Sequence, residues 1–332
     1  MRLTVKLNDR SYPIELQRGV LAHAKELIGT DRVFLISDDG VPEQWRSCLQ
    51  EQFPDAHMHV IPQGESSKCF SVMQDVLADM LEHHISRKDT VVALGGGVPG
   101  DLAGFCSAVY MRGIRYVNIP STMLSMVDSS IGGKTAIDFH GVKNSIGAFW
   151  QPSLVLVDPD LLSTLSPRLL HEGMAESVKM GLTHDKKLFE LFEQDDYMDH
   201  IDEIIERSLL VKKGVVERDE REGGERKLLN FGHTYGHAFE AYHESKYLHG
   251  ECVAMGMMTV VNDPALKQRL GAVLKRLELP LSCECDKEAI CALVQNDKKA
   301  DHGTVSIVQV NEPGHGVIEQ WDEAMVRKGI GL

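Results

Sequence analysis

Thr90–Asp101 reads TVVALGGGVPGD. The apolar and β-branched run Thr90–Leu94 passes directly into Gly95, Gly96 and Gly97, and a small-residue stretch of helical character, AGFCSAVYMRG, follows. A short apolar run closed by glycine reads as a strand buried on both faces. Glycines at its end let backbone amides approach a pyrophosphate, and the N-terminus of a following helix favours negative charge. The spacing is not the G-x-G-x-x-G fingerprint, so taken alone the run favours a plain tight turn slightly over a nucleotide site.

Working outward, Val33–Ser37 and Met58–Pro62 precede this strand, and Arg115–Ile119 and Leu154–Asp158 follow it. Between them lie stretches such as Ser71–His84 with apolar residues at helical spacing. Strands alternating with helices imply an α/β domain built on a Rossmann-like parallel sheet, with ligands beyond the carboxyl ends of the strands. The opening MRLTVKLNDRSYPIEL alternates apolar and polar residues around Asn8 and Asp9, which predicts a hairpin and not a secretory signal. After Asp158 the texture changes. Pro167–Gly181, Lys186–Gln194, His200–Val216 and His237–Tyr247 carry helical periodicity with few strand signals, and Ser166–Pro167 is a good helix start. The expected organisation is an α/β domain over residues 1–158 and a mainly α-helical domain over 159–332.

With 332 residues, 43% hydrophobic and 25% charged, the chain has the composition of a soluble globular protein of two domains, without a membrane span. A net charge of −14 disfavours nucleic acid as a partner, so any anionic ligand must meet a local cluster of cations. The seven cysteines are odd in number and scattered, which suits reduced thiols in the cytoplasm. Cys283 and Cys285 lack a second pair at finger spacing.

Chemistry-bearing residues gather in a few segments. Asp38, Glu65 and Lys68 fall near the strand ends, where an acidic residue can bind ribose hydroxyls or simply be solvated. The segment Ile119–Pro152 reads as a long irregular loop, in which Gly132 and Gly133 precede Lys134, Lys143 precedes Asn144, and Asp128 is nearby. Such lysines suit a phosphate or carboxylate, or ordinary solvation. In Asn230–Glu251, NFGHTYGHAFEAYHESKYLHGE, His233 and His237 are four apart and share a helix face, and Gly250 after His249 suggests a turn back towards that helix. Both can reach one ion, or one can bind metal while the other moves protons. Glu176 and Lys179 in GMAESVK likewise share a face, and a His, His and Glu set leaves positions open as catalytic zinc sites do. His243 and His200 read as surface residues.

Taken together and in order, SDDG, GESSK, GGGVPGDLAGF, YMRG, IPSTMLSMVDSSIGGKTAID, GVKNSIGAFWQP, GMAESVK, DEREGGERKLLNFGHTYGHAFEA, LHGE and NDKKADHG resemble the 3-dehydroquinate synthase family, over nearly the whole chain. The resemblance implies an active site in the cleft between an NAD-binding domain and a helical metal- and substrate-binding domain. It implies a divalent metal, zinc or cobalt, on Glu176, His233 and His249. It implies NAD contacts at Asp38, Glu65, Lys68, Gly96, Gly97, Asp101, Ser121, Thr122, Lys143 and Thr164. Catalytic roles fall on Asp128, Lys134, Lys179, Lys212 and His237. Substrate contacts fall on Asn144, Arg226, Asn230 and Lys298 of the Lys298–Lys299 pair, with Arg112 supplied by the second subunit of a homodimer. The implied reaction converts a phosphorylated sugar acid, 3-deoxy-D-arabino-heptulosonate 7-phosphate, to 3-dehydroquinate and phosphate, in the shikimate pathway. Leu169 stands where relatives usually carry an acidic residue near the cofactor, and Met257–Pro280 is shorter than in many relatives. Another sugar-phosphate cyclase, or a glycerol-dehydrogenase-like alcohol dehydrogenase, are the competing enzyme classes. A binding protein without activity is disfavoured because the ligands and cations are all present.

Overall fold

The computed structural model describes residues 1–244, 246–296 and 304–332. They form two compact units, residues 1–166 with 212–217 and residues 167–211 with 218–332.

The first unit is built on a seven-stranded sheet. Its strands are β1 (Arg2–Val5), β2 (Tyr12–Leu16), β3 (Val33–Asp38), β4 (Met58–Ile61), β5 (Thr90–Gly95) and β6 (Arg115–Pro120), joined after a separate hairpin of β7 (Lys134–Phe139) and β8 (Val142–Phe149) by β9 (Leu154–Val157). The order is β1-β2-β9-β6-β5-β3-β4. Every pairing is parallel except the N-terminal hairpin, where Arg2 faces Glu15. The α/β character and the parallel sheet expected from the alternation are therefore present, with the five expected strands ending within a residue of their sequence bounds.

Four helices accompany the sheet: α1 (Ala24–Ile28), α2 (Glu43–Gln50), α3 (Phe70–Glu82) and α4 (Gly97–Val109). Phe34, Ile36, Val91 and Ala93 of β3 and β5 are fully buried against Val76 and Met80 of α3 and Leu102 and Ala103 of α4. Burying an apolar side chain of this size contributes about 1.5–3 kcal/mol, and this layer fixes where the strand ends lie. The chain passes from β3 outward to β4 and returns on the other side of β3 as β5. Such a reversal opens a crevice at the carboxyl ends of the two strands.

The segment Ile119–Pro152 is not the irregular loop expected. Its second half is the β7–β8 hairpin, with Phe139 opposite Val142 across a two-residue turn. His140 (φ 49°) and Gly141 (φ 78°) both adopt the left-handed conformation, which matches the right-handed twist of a tight hairpin. The serine, glycine and lysine content of the segment disguised the alternation in KTAIDF and VKNSIGAF.

The second unit contains α5 (Pro167–Thr183), α6 (Lys186–Phe192), most of α7 (Ile201–Arg218), α8 (His233–Tyr242), α9 (His249–Val260), α10 (Pro264–Arg276), α11 (Lys287–Asn296) and α12 (Glu323–Gly329). It is mainly helical, as expected, but also carries a hairpin of β10 (Val305–Glu312) and β11 (His315–Trp321) that the sequence reading passed over. The helix expected over His237–Tyr247 begins earlier, at His233, because Gly232 (φ 78°) sets its start in a left-handed conformation, and it ends at Tyr242. Among the described residues, no helix is long and apolar enough to cross a membrane. All seven cysteines are free thiols.

Candidate active site

At the β3/β5 crevice of the first unit, Asp38 closes β3 and Gly96 and Gly97 open α4. Ser121, directly after β6, donates its amide to the carbonyl of Gly95 at 2.8 Å, which brings Ser121 and Thr122 beside the glycine run. Asp38 is buried, accepts from the amides of Gly40 (2.9 Å) and Val41 (3.1 Å), and is raised by burial. Lys68 is also buried. Its Nζ donates to Asp101 Oδ2 at 2.8 Å and to the side-chain carbonyl of Asn144, and lies 3.5 Å from Glu65. Burial works against that ammonium, but Asp101 and Glu65 outweigh it and the pKa rises. Asp101 is itself pushed up to about 6 by burial, with Lys68 pulling it back. Eight expected cofactor residues, the cation Lys68 among them, and Asn144, expected on the substrate side, thus lie around one strand-end region.

Elsewhere in this unit Lys212 donates to Asp128 Oδ1 at 2.6 Å, joining two expected catalytic groups. Thr164 accepts from the Trp45 indole at 3.0 Å. Lys134 opens β7 and Lys143 lies on β8, both exposed. Arg112 is exposed and in the left-handed conformation (φ 66°) at the end of YMRG.

In the second unit, three helices bring Glu176, His233 and His249 together. Where α8 and α9 cross, a Cβ on Gly256 would sit 1.9 Å from the carbonyl oxygen of Gly232, so only glycine permits this backbone approach. That contact sets the start of α8, carrying His233, against α9, which begins at His249. Gly256→Ala must force the helices apart. We expect a loss of about 1–3 kcal/mol, measured by urea unfolding, and weaker metal retention; unchanged stability and retention would refute this packing role.

Glu176 is buried, and its Oε1 makes no hydrogen bond. This oxygen lies 3.6 Å from Nε2 of His233 and 3.6 Å from Nε2 of His249. Two ligands each about 2.1 Å from a tetrahedral ion are roughly 3.4 Å apart, so the spacing fits a divalent cation. Both rings are held by their other nitrogen: His233 Nδ1 faces the Phe231 carbonyl at 3.3 Å, and His249 Nδ1 faces Glu240 Oε2 at 3.2 Å. A carbonyl or carboxylate on the far ring nitrogen orients a metal-binding histidine and fixes its tautomer. His237, one turn beyond His233, has its ring centroid 5.3 Å from that of His233 and 5.8 Å from that of His249. The metal-compatible group comprises Glu176, His233 and His249 and leaves His237 outside.

The electrostatics are consistent with a site built for positive charge. Burial alone would raise Glu176, yet Lys179, His233 and His249 hold it well below the usual carboxylate range. Lys179 Nζ donates to Glu176 Oε2. Burial, then Lys179, drive His233 well below its ordinary value, so it is neutral and its Nε2 lone pair is available. Burial also opposes charge on His249, but Glu176 and Glu240 outweigh it and hold the ring at about 10. A metal ligand must be deprotonated, so an ion bound to this group below pH 10 would displace the His249 proton. Zinc affinity should rise about tenfold per pH unit between roughly pH 7 and 9, with one proton released per ion. Titration calorimetry in buffers of different ionisation enthalpy reads both, and a pH-independent affinity would contradict this assignment of charge.

Arg226 is buried, with its amide on Asp219 Oδ2 at 3.0 Å, and Asn230 donates to Glu222 Oε1 at 3.0 Å. Lys298 lies outside the described residues. Leu169 is half-buried on α5. Sequence reasoning missed Glu240 and Glu222. For Glu240 the signal was present: His233, His237 and Glu240 fall at i, i+4 and i+7 on one face of α8.

The fold is that of sugar-phosphate cyclases and polyol dehydrogenases. Among solved structures, 2-epi-5-epi-valiolone synthase from Streptomyces hygroscopicus subsp. jinggangensis 5008, with NAD+ and Zn2+ bound, superposes with a TM-score of 0.88 at 26% identity, covering 98% of this chain and 97% of that one. A probable glycerol dehydrogenase from Sinorhizobium meliloti 1021 shares the fold at a TM-score of 0.69 and 16% identity, covering 96% and 95% of the two chains. The chain itself belongs to the 3-dehydroquinate synthase family, an enzyme family: the models of its N-terminal and C-terminal parts match residues 58–172 and 173–300. The 3-dehydroquinate synthase of Clostridium beijerinckii is 36% identical over 340 residues, 96% of this chain and 97% of that protein. That of Methylacidiphilum infernorum is 39% identical over 333 residues, 95% and 92% of the two.

Proposed function

We propose that the chain converts 3-deoxy-D-arabino-heptulosonate 7-phosphate to 3-dehydroquinate and phosphate, with NAD and one divalent metal ion, as a cytoplasmic homodimer. The observation that carries this reading is the buried Glu176 oxygen faced at 3.6 Å by two imidazoles whose other nitrogens are already held. Membership of the family supports the substrate.

When bound, the metal supplies Lewis acidity at the reacting hydroxyl and NAD takes up and returns a hydride. The chain's residues supply the rest. Glu176, His233 and His249 are the metal ligands. Asp38, Glu65, Lys68, Gly96, Gly97, Asp101, Ser121, Thr122, Lys143 and Thr164 hold the dinucleotide. Asn144, Arg226, Asn230, Lys298 and Arg112 of a second copy bind the anionic substrate, which explains so many cations at motif positions in a chain of net charge −14. Lys134, Lys179, His237 and the Asp128–Lys212 pair move protons. Oxidation at C5 acidifies the neighbouring carbon, so phosphate leaves by elimination; reduction at C5, ring opening and an aldol step close the carbocycle.

The test is to give the purified, zinc- or cobalt-loaded protein this substrate with NAD and follow phosphate and 3-dehydroquinate. Formation of neither would overturn the reading. The likeness to valiolone synthase favours a second reading, a cyclase acting on another seven-carbon sugar phosphate; turnover of such a sugar in preference to the heptulosonate would select it.

A further inference from the structure

A second group of histidines lies in the first unit, outside everything described above. His57 directly precedes β4 and His59 lies on it, two residues apart; Asp79 lies on α3 and His83, four residues on, caps its C-terminus. A spacing of two on a strand and four on a helix each puts both side chains on one face. The two faces meet. Asp79 Oδ2 lies 2.7 Å from His57 Nε2 and 2.6 Å from His59 Nδ1, while Asp79 Oδ1 lies 2.9 Å from His83 Nδ1. His57 and His83 are stacked with ring centroids 3.9 Å apart, over the buried Phe34, whose ring is 5.7 Å from His57 and 6.3 Å from His83. Asp79 and His59 are largely covered, at 17% and 20% side-chain exposure, whereas His57 and His83 are 36% and 41% exposed, so the group opens to solvent on one side only.

We propose that His57, Asp79 and His83 form a second divalent transition-metal site, with His59 orienting the carboxylate. Two imidazoles and one carboxylate are a donor set for zinc, nickel or copper, and not for the oxygen-seeking magnesium or calcium. Their ligand atoms already lie within 4.8 Å of one another. One carboxylate faces three imidazole nitrogens, and an ion takes the place of the protons that now bridge them, tilting the exposed His57 and His83 rings out of their stack. His59 then holds Asp79 Oδ2 as a carboxylate ligand is commonly held. Because β4 is the last strand of the sheet among the described residues, pairing with β3, the ion clips an edge strand to the helix packed beside it.

Equilibrium dialysis of the purified full chain against Ni2+ tests this. The wild type should take up two equivalents, Glu176→Ala one, His57→Ala/His83→Ala one, and the triple variant none. Ni2+ should raise the melting temperature of Glu176→Ala and leave that of the triple variant unmoved. If the double variant folds poorly, His83→Gln should keep the fold and weaken the second equivalent at least about tenfold. A single equivalent in the wild type, or a second equivalent retained by the double variant or by His83→Gln at full affinity, would overturn the proposal.

Discussion

Glu176→Ala is expected to lose metal retention and turnover together. Changing a group that merely orients a metal ligand typically costs about 10–100-fold in metal affinity, and removal of the proposed buried ligand itself should cost more. The variant also leaves Lys179, 2% exposed, without its carboxylate partner. An unpaired buried charge typically costs about 3–5 kcal/mol, so instability alone could mimic lost ligation. The double variant Glu176→Ala/Lys179→Met separates the two, since it removes both charges. It should be more stable than Glu176→Ala alone and still bind no metal at the first site. Metal content by mass spectrometry and urea unfolding read these outcomes; a Glu176→Ala protein that keeps its ion and its activity would show that the ligand set is wrong.

Lys179→Met alone should have the second large effect, and one that depends on metal. Without metal, the protonated His249 is then the positive partner left to Glu176 in this group, and we expect a loss of about 3–5 kcal/mol. With zinc bound, the ion supplies the missing positive charge, so the loss should be smaller. Under the proposed function, turnover should nevertheless fall by about 10²–10⁴-fold even in the loaded protein, because the proton-transfer group assigned to Lys179 is gone. Equal destabilisation with and without zinc would argue against Lys179 and the ion sharing Glu176 as their counter-charge.

The parts of this fold that were legible in the sequence are those where local pattern and tertiary burial agree. Thr90–Leu94 is apolar throughout because β5 is covered on both faces, and its end at glycine is where α4 begins. The pairing of His233 with His237, and of Glu176 with Lys179, was legible because helical spacing is a local property. That Glu176 faces His249, 73 residues on, depends on the close crossing of α8 and α9 and on the contact of Gly250 with the Glu172 carbonyl, and no local signal specifies those partners. The β7–β8 hairpin was missed because its composition is that of a loop, and its turn needs a left-handed histidine at position 140, which residue type alone does not announce. Likewise His57 and His59 are unremarkable until β4 is laid beside α3.

The most direct measurement uses one equivalent of NAD per chain and a large excess of the heptulosonate phosphate. Phosphate and 3-dehydroquinate should form in equal amounts through many turnovers, with no accumulation of NADH, because the proposed function returns in each cycle the hydride it removes. Accumulation of NADH in step with substrate consumed, without release of phosphate, would contradict the proposed function and select a dehydrogenase.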